Sequence, residues 1–394
     1  MSTLMAALKD QTGLELSVAS ARPAKQIETY ITNGIRCFVV PCGKRENAGD
    51  QRNALLDCCK VIDQVRPDLV HVHGTERFYG LLGARRLISC PVAISLQGLL
   101  GPCSEWYHYF GNRRLLDIIR MHRLLEIPLL RGHWYSFWDI RNKARREREI
   151  IQGNRFFMGR TAWDRAYSDS LNPHANYYPV GELLREPFWK KRWTLTKARR
   201  HRIIFTNAGH PRKGPEIILD AVSLLKQGYP SIQLCIAGGI SRRSGYGRYL
   251  RNRMAPFGDT IIELGPLNAE EMAQELIKSH VFVSPSFIDN SPNAVCEAQL
   301  IGMPVISTYT GGVPSLIEEG RTGLFFPTGD AAMLAARLTE VFNEDALAVC
   351  LGAKSHDVAR LRHDPDAVVK QLVSAYESVM QIHSGTSCLG KDQQ

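Results

Sequence analysis

No stretch of this chain approaches the roughly eighteen uninterrupted apolar residues that a bilayer-spanning helix needs. The N-terminus (Met1, Ser2, Thr3, Leu4, Met5) has neither a basic leader nor a long apolar core, so it does not read as a signal peptide. These two absences give the expectation of a cytoplasmic protein. Glycine and proline, at 32 and 20 residues, stay near average and show no period, which excludes collagen-like and low-complexity chains. Ten cysteines are few for this length and irregularly spaced, with no Cys-x-x-Cys pair and no paired-histidine array. A disulfide scaffold and a zinc site are excluded on that ground, and buried free thiols are expected.

What is present is ordinary globular material. Hydrophobic residues make up 44% and charged residues 22%, too apolar a mixture for a disordered chain. At 394 residues, two domains are expected. Charge is the unusual quantity. Lys and Arg outnumber Asp and Glu by 49 to 39, a formal +10, and residues 111–148 hold ten basic against four acidic side chains, contributing +6. Such a patch attracts a polyanion: nucleic acid, an anionic membrane face or a phosphorylated substrate. It is interleaved with Leu, Ile and Trp and carries no nucleic-acid module. Peripheral contact with an anionic membrane, at the inner face of the cell membrane, is therefore expected, and nucleic acid is not.

Short apolar runs alternate with amphipathic segments, the pattern of parallel βα units. Strands are expected at Leu14–Ser20, Arg36–Val40, Leu69–His73, Val92–Leu96 and Phe156–Gly159. Helices are expected at Ser2–Gln11, Asp50–Arg66 and Phe78–Ile88, in pieces of Gly111–Glu149 around Pro128, and from Trp163. A second series places strands at Ile203–Asn207, Ile232–Ala237, Ile261–Leu264, Val281–Ser284 and Pro304–Ser307, with a helical C-terminus to Ile382. The implied domains are 1–180, a crossing at 181–202, a second unit at 203–365, a helix at 366–382 returning to the first domain, and a frayed tail at 383–394. The fold class is α/β, two Rossmann-like domains facing a cleft, with ligands at the carboxyl ends of the strands.

The richest passage runs from Ser284 to Ser307, where a buried strand enters a polar loop and then a helix with a carboxylate in its first turn. Asp289 and Glu297 stand eight residues apart across that loop. A helix N-terminus with small neighbours offers free backbone N–H groups to a phosphate, and a carboxylate beside it can accept two sugar hydroxyls. Taken alone, the pair would read as a capping turn and a surface helix residue. Its surroundings change that reading. The pair resembles the E-x7-E signature of the retaining GT-B glycosyltransferases, glycosyltransferase family 4, with Asp289 in the first acidic position. Tyr309–Pro314 resembles that family's "gG-x-P" turn, Gly320–Phe326 its "G-x-x-G-h-h" strand, and Asn207–Gly214 the loop that grips the donor pyrophosphate. The likeness covers most of residues 203–343 in order. Pro67–Glu76, Ile94–Gly98 and Gly159–Asp164 resemble bacterial polysaccharide-type members more loosely.

Three positions depart from the family pattern. His210 stands where an Arg usually precedes the pyrophosphate Lys. The glycine-rich "E-G-F-G" is here Asp289, Asn290, Ser291 and Pro292, and Pro292 removes a backbone donor. Gln97 follows a strand where many members place a His.

The resemblance implies a GT-B architecture, a nucleotide-diphosphate sugar as donor on the second domain, and a glycan or lipid-linked acceptor on the first. It implies that Glu297 holds the donor ribose hydroxyls and that Asp289, with backbone amides near Asn290 and Ser291, holds hydroxyls of the transferred sugar. Lys213, aided by Arg212, would neutralise charge growing on the departing diphosphate. Gly209, Gly311 and Gly312 belong to the donor-binding loops. Family members retain configuration by same-face attack, the leaving phosphate assisting deprotonation, so neither a protein nucleophile nor a cofactor is required. On the first domain His73 and Glu76 end a predicted strand, in reach of acceptor contact or proton transfer. Gln97 and Arg160 are the other acceptor-side candidates. Trp106, Tyr107, Trp134, Tyr135 and Trp138 read as core. Asp364-Pro-Asp366 is the only D-x-D and reads as a helix cap, so no essential metal is expected. The pyrophosphate loop disfavours a paired-carboxylate hydrolase, and a catalytically impaired sugar-nucleotide-binding protein is the alternative reading.

The same resemblance sets an expectation about what is missing. In that fold the first strand lies mid-sheet and its glycine-rich turn faces the cleft. With Ser2–Gln11 helical and Leu14–Ser20 taken as the second strand, the N-terminal domain lacks its first strand. The expectation is a sequence that begins late, with Met1 at an internal position of the ancestral domain and activity impaired.

Overall fold

A computed structural model describes residues 2–9, 13–43, 48–111, 113, 115–121 and 132–389. In the first half β1 (Ser17–Arg22) runs parallel to β3 (Ile35–Pro41), and β2 (Glu28–Thr32) pairs antiparallel with β3. Asn33 and Gly34 take φ of 49° and 74°, the two positive angles of a tight hairpin turn. Apolar alternation does not predict β2; its local signals are the β-favouring Thr29-Tyr30-Ile31-Thr32 and the Asn-Gly pair that follows. A second sheet holds β4 (Val70–His73), β5 (Val92–Ser95), β6 (Phe156–Gly159) and β7 (Asn176–Pro179), all parallel and in that order. The expected helix at Phe78–Ile88 is shorter, a 3-10 turn at Phe78–Gly80 followed by Leu81–Ala84. Gly80 and Gly83 sit there against Ile150 and Val92, where any Cβ would clash.

Among the described residues no ladder joins β1 to β4, and each is the edge of its own sheet. The two pieces nevertheless share one core, in which Ala21, Phe38 and Val40 pack with Val72, Ile94 and Phe157. Side chains bridge the break. The Ala21 N–H donates to the Tyr79 hydroxyl at 2.7 Å, and Arg77 Nη1 donates to the Ala21 carbonyl at 2.7 Å. Backbone groups that a neighbouring strand would satisfy are thereby paired.

The second half is one six-stranded parallel sheet. Its strands are β8 (Arg199–Thr206), β9 (Gln233–Ala237), β10 (Ile261–Gly265), β11 (Ser279–Ser284), β12 (Val305–Thr308) and β13 (Leu324–Phe326), in the order β10-β9-β8-β11-β12-β13. Helices cover both faces, so β11 and β12 are buried throughout, as continuous apolar strands of parallel sheets are. The basic run before Ile203 is not the end of a crossing but the start of β8: Arg202 is buried, pairing with Glu275 and donating to Ser279 Oγ at 2.9 Å.

The last helix, Pro365–Leu389, lays Val369, Leu372, Ala375 and Val379 against Ala93, Phe156 and Met158 of the first half and against Leu8 of the helix Ser2–Lys9. It runs past Ile382 to Leu389, which corrects the tail expected from 383; residues 390–394 lie outside the described residues. Asp364 Oδ1 accepts from the Ala367 N–H at 2.9 Å, the cap expected of that D-x-D. The cysteines whose side chains are described are free, and most are buried. Among the described residues no helix is long and apolar enough to cross a membrane.

The bridge across the break can be measured. Tyr79→Phe leaves the Ala21 N–H unpaired in a partly buried position, and is expected to lower stability by about 1–2 kcal/mol. Urea unfolding checks it; an unchanged midpoint would show that the hydroxyl carries no weight.

Candidate active site

The site is built on two βα loops lying side by side. After β8 the chain forms the loop 207–214 and enters the helix Pro215–Leu225; after β11 it passes through 285–292 into the helix Asn293–Ile301. The loops are joined backbone to backbone, the Phe287 N–H donating to the Arg212 carbonyl at 2.8 Å. Gly214, at φ +68°, permits this, because a Cβ there would stand 2.1 Å from the Pro285 carbonyl oxygen. Lys213 Nζ donates to Asp289 Oδ2, Ser286 Oγ donates to the same oxygen at 3.2 Å, and Arg212 Nη1 lies 4.0 Å from Asp289 Oδ1. Burial pushes the Asp289 carboxyl up, but Lys213 and Arg212 outweigh it and hold the group below the usual range.

Glu297 lies one turn inside its helix rather than in the first turn, and it is buried, not a surface residue. Arg185, on the stretch joining the domains, grips both its oxygens: Nε donates to Oε1 at 2.8 Å and Nη2 to Oε2 at 2.9 Å. Burial raises the Glu297 pKa, and Arg185 opposes that rise. Gly311 and Gly312 back the 289–290 loop. The Gly312 N–H donates to the Asp289 carbonyl at 3.0 Å, and a Cβ on Gly311 would fall 2.1 Å from that oxygen. Gly209 is exposed and its α-carbon packs against the Gly239 carbonyl.

A cavity of about 340 Å3 opens between the halves. Glu297, Asn293 and Arg185 line it from one side, and His73, Gln97 and Arg160 from the other. The structure thus brings four sequence-predicted residues, Glu297, His73, Gln97 and Arg160, to one space. Arg160 donates to Gln97 Oε1 at 2.9 Å and pairs with Glu182. The His73 ring lies 4.1 Å from that of His71, and burial pushes its pKa down to about 4, so the imidazole is neutral. Glu76 does not join them. Its carboxylate turns beneath Gly74 and Gly98, where burial raises its pKa and the nearby backbone amides of Glu76, Gly98 and Thr75 oppose that rise. It holds the strand-end loop in shape.

The loop 289–292 also meets the first half directly. Asn290 is buried: its Oδ1 accepts from Thr161 Oγ1 at 2.6 Å, and its Nδ2 donates to Asp164 Oδ2 at 2.9 Å and to the Gln97 carbonyl at 3.3 Å. Ser291 is buried beside it. The departure from a glycine-rich loop therefore has a physical purpose, since Asn290 carries a side chain that staples the two halves together. His210, the other departure, accepts from the Arg212 N–H through Nδ1 at 3.0 Å. Its ring sits between Tyr109 and His133, at 4.9 and 5.0 Å, and burial with nearby cations keeps it neutral. Arg113 reaches over from the first half, donating to Glu216 Oε1 at 3.1 Å. Arg185, Glu182, Arg113 and the reach of Asn290 carry no mark in the sequence; each acts on a partner far along the chain.

Residues 200–344 match the family described as "Glycosyl transferases group 1". The D-inositol 3-phosphate glycosyltransferase of Pseudarthrobacter chlorophenolicus is 31% identical over 167 residues, 40% of this chain and 40% of that protein. The match thus spans about two-fifths of that relative's length. Over nearly the whole chain the fold is similar to sucrose-phosphate synthase from Thermosynechococcus elongatus, with a TM-score of 0.75 at 16% identity, covering 96% of this chain and 92% of that one. It is also similar to Anabaena HepE in complex with UDP-glucose, with a TM-score of 0.65 at 15% identity, covering 88% and 86%. The architecture is two Rossmann-like α/β domains facing a GT-B cleft.

The Lys213–Asp289 pair gives a signed pH dependence. A carboxylate held below its unfolded value stabilises the fold above that value and loses the contribution as pH falls through its folded pKa. Asp289→Asn is therefore expected to lower stability by about 3 kcal/mol at neutral pH, as removing one partner of a buried pair does. The gap should close as pH drops below the ordinary Asp range, near 3.8. Denaturation of both proteins from pH 7 to pH 3 checks this, and a gap independent of pH would contradict it.

Proposed function

We propose that this GT-B-fold relative of the family 4 glycosyltransferases transfers a sugar, with retention of configuration, from a nucleotide-diphosphate sugar to a glycan or lipid-linked acceptor in polysaccharide synthesis. The observation that carries the reading is the cavity shared by Glu297 on one domain and His73, Gln97 and Arg160 on the other, with the Lys213–Asp289 pair on the adjoining loop. A bound donor would set its diphosphate on Lys213 and Arg212, with sugar hydroxyls donating to Asp289 and ribose hydroxyls donating to the free lone pairs of Glu297. Lys213 then stands where negative charge develops as the sugar–phosphate bond breaks, where a fixed cation is effective. His73 is neutral and offers a ring nitrogen to the acceptor side without adding charge. UDP-glucose, which HepE holds, is the first donor to try.

We further propose that the first domain rests on an anionic membrane face. Trp138, Leu115 and Ile119 of the basic segment 111–148 are exposed, as are Trp106 and Tyr107 just before it, although the three aromatics read as core from sequence. Residues 112, 114 and 122–131 of that segment lie outside the described residues. Aromatic and aliphatic side chains among Arg and Lys suit a headgroup layer, where each basic residue contributes about 1 kcal/mol.

Two assays test these readings. Glu297→Ala and Lys213→Ala are each expected to reduce transfer about 100- to 1,000-fold, the loss of one charge-assisted contact in a closed site, with circular dichroism unchanged. Wild-type turnover in either variant would refute the assignment. In sedimentation, the protein should pellet with anionic vesicles at low salt and be released at high salt; equal recovery in every supernatant would refute membrane contact.

A further inference from the structure

We infer that Arg185 is a positioning residue of the donor site: its guanidinium grips both oxygens of Glu297 and sets the orientation in which that carboxylate meets a nucleotide ribose. The ribose clause rests on the transferase reading; the Arg185–Glu297 coupling does not.

Three observations point this way. Arg185 is fixed rather than waving. It caps the start of the helix Glu186–Lys190, whose second residue is Pro187, and its guanidinium lies 4.9 Å from the ring centroid of Phe188, which is fully buried. Its two parallel bonds to Glu297 match the planar fork to the carboxylate, a geometry that a lysine cannot reproduce. They leave a lone pair on each oxygen for a hydroxyl. The pair is also lopsided in exposure. The Glu297 side chain is 5% exposed and that of Arg185 45%, so the cation covers the carboxylate on one side while both line the cavity.

Charge supports the geometry. The other titratable groups around Glu297 are Arg160 and Glu182, paired with each other across the cavity, His71 and His73, both held neutral by burial, Cys296 on its own helix, and Arg362 beside Cys296. Arg185 counters the burial of Glu297. Without it the carboxyl would bind a proton at higher pH, and a protonated carboxyl loses one of the two acceptors that hydroxyls need. The sign follows: loss of Arg185 should make nucleotide binding weaken as pH falls more steeply than it does in the wild type.

The experiment uses the full chain and UDP as probe. Calorimetry would compare wild type, Arg185→Lys, Arg185→Ala and Glu297→Gln between about pH 8 and pH 6. The expected result for Arg185→Ala is affinity that falls across that range at least about twofold more than in the wild type, as a carboxyl half-protonated at the lower end would give. Arg185→Lys should be intermediate, and the titration of UDP itself is common to all four proteins. A second arm needs no nucleotide: carbon-13 NMR of the Glu297 carboxyl, assigned with Glu297→Gln, should titrate at higher pH in Arg185→Ala. An unmoved carboxyl titration, or tighter UDP binding by Arg185→Ala at every pH, would overturn the inference; the latter would make Arg185 a competitor of the ribose. If the wild type binds no nucleotide, the transferase reading falls, while the carboxyl titration still decides the role of Arg185.

Discussion

One strand–loop–helix unit holds a buried carboxylate, Glu297, and a half-buried one, Asp289, and a carboxylate withdrawn from water is tolerable only when a cation and hydrogen bonds replace that water. Much else in the structure follows from meeting that demand. Asp289 takes its counter-charge from Lys213, which requires the loops after β8 and β11 to lie in contact, and the glycine at 214 allows that approach. Glu297 takes its counter-charge from Arg185, which requires the interdomain stretch to pass over the helix Asn293–Ile301. The cations and carboxylates of these loops are thus arranged around one another.

The same loop ties the two domains together. Asn290 inserts a side chain among Thr161, Asp164 and Gln97, and the Ala162 N–H donates to Ser315 Oγ at 3.0 Å nearby. Tyr109 and Arg113 add contacts from the first domain to the loop 210–213 and to Glu216. Domain approach and donor-loop shape are consequently one structural event, carried by contiguous packed side chains. This gives Asn290, which stands where the resembled loop has its first glycine, a role: its side chain links the two domains across the cleft.

The second domain was legible in the sequence because its central strands are buried and read as apolar runs, and because loop, turn and strand signatures follow in order. The first domain was less so. Its sheet is broken between β1 and β4, the hairpin strand β2 is exposed and shows no apolar alternation, and β7 is four residues long. Side-chain partners were the least legible of all. Arg185 and Glu297 are 112 residues apart, and Asn290 and Thr161 are 129 apart; no local period encodes such pairs. Glu76 shows the converse. Its place at a strand end suggested chemistry, whereas its carboxylate turns under its own loop, beside Gly74 and Gly98, and does not line the cavity.

The central claim is that the loops 207–214, 285–297 and 309–314 form one nucleotide-sugar site facing the first domain. Hydrogen exchange of the full chain, with and without saturating UDP- or GDP-sugars, tests it most directly. The account predicts that one of these donors slows exchange in those three loops together, and that Glu297→Ala abolishes the protection in all three. Unchanged exchange with every donor, or protection confined to the first domain, would contradict it.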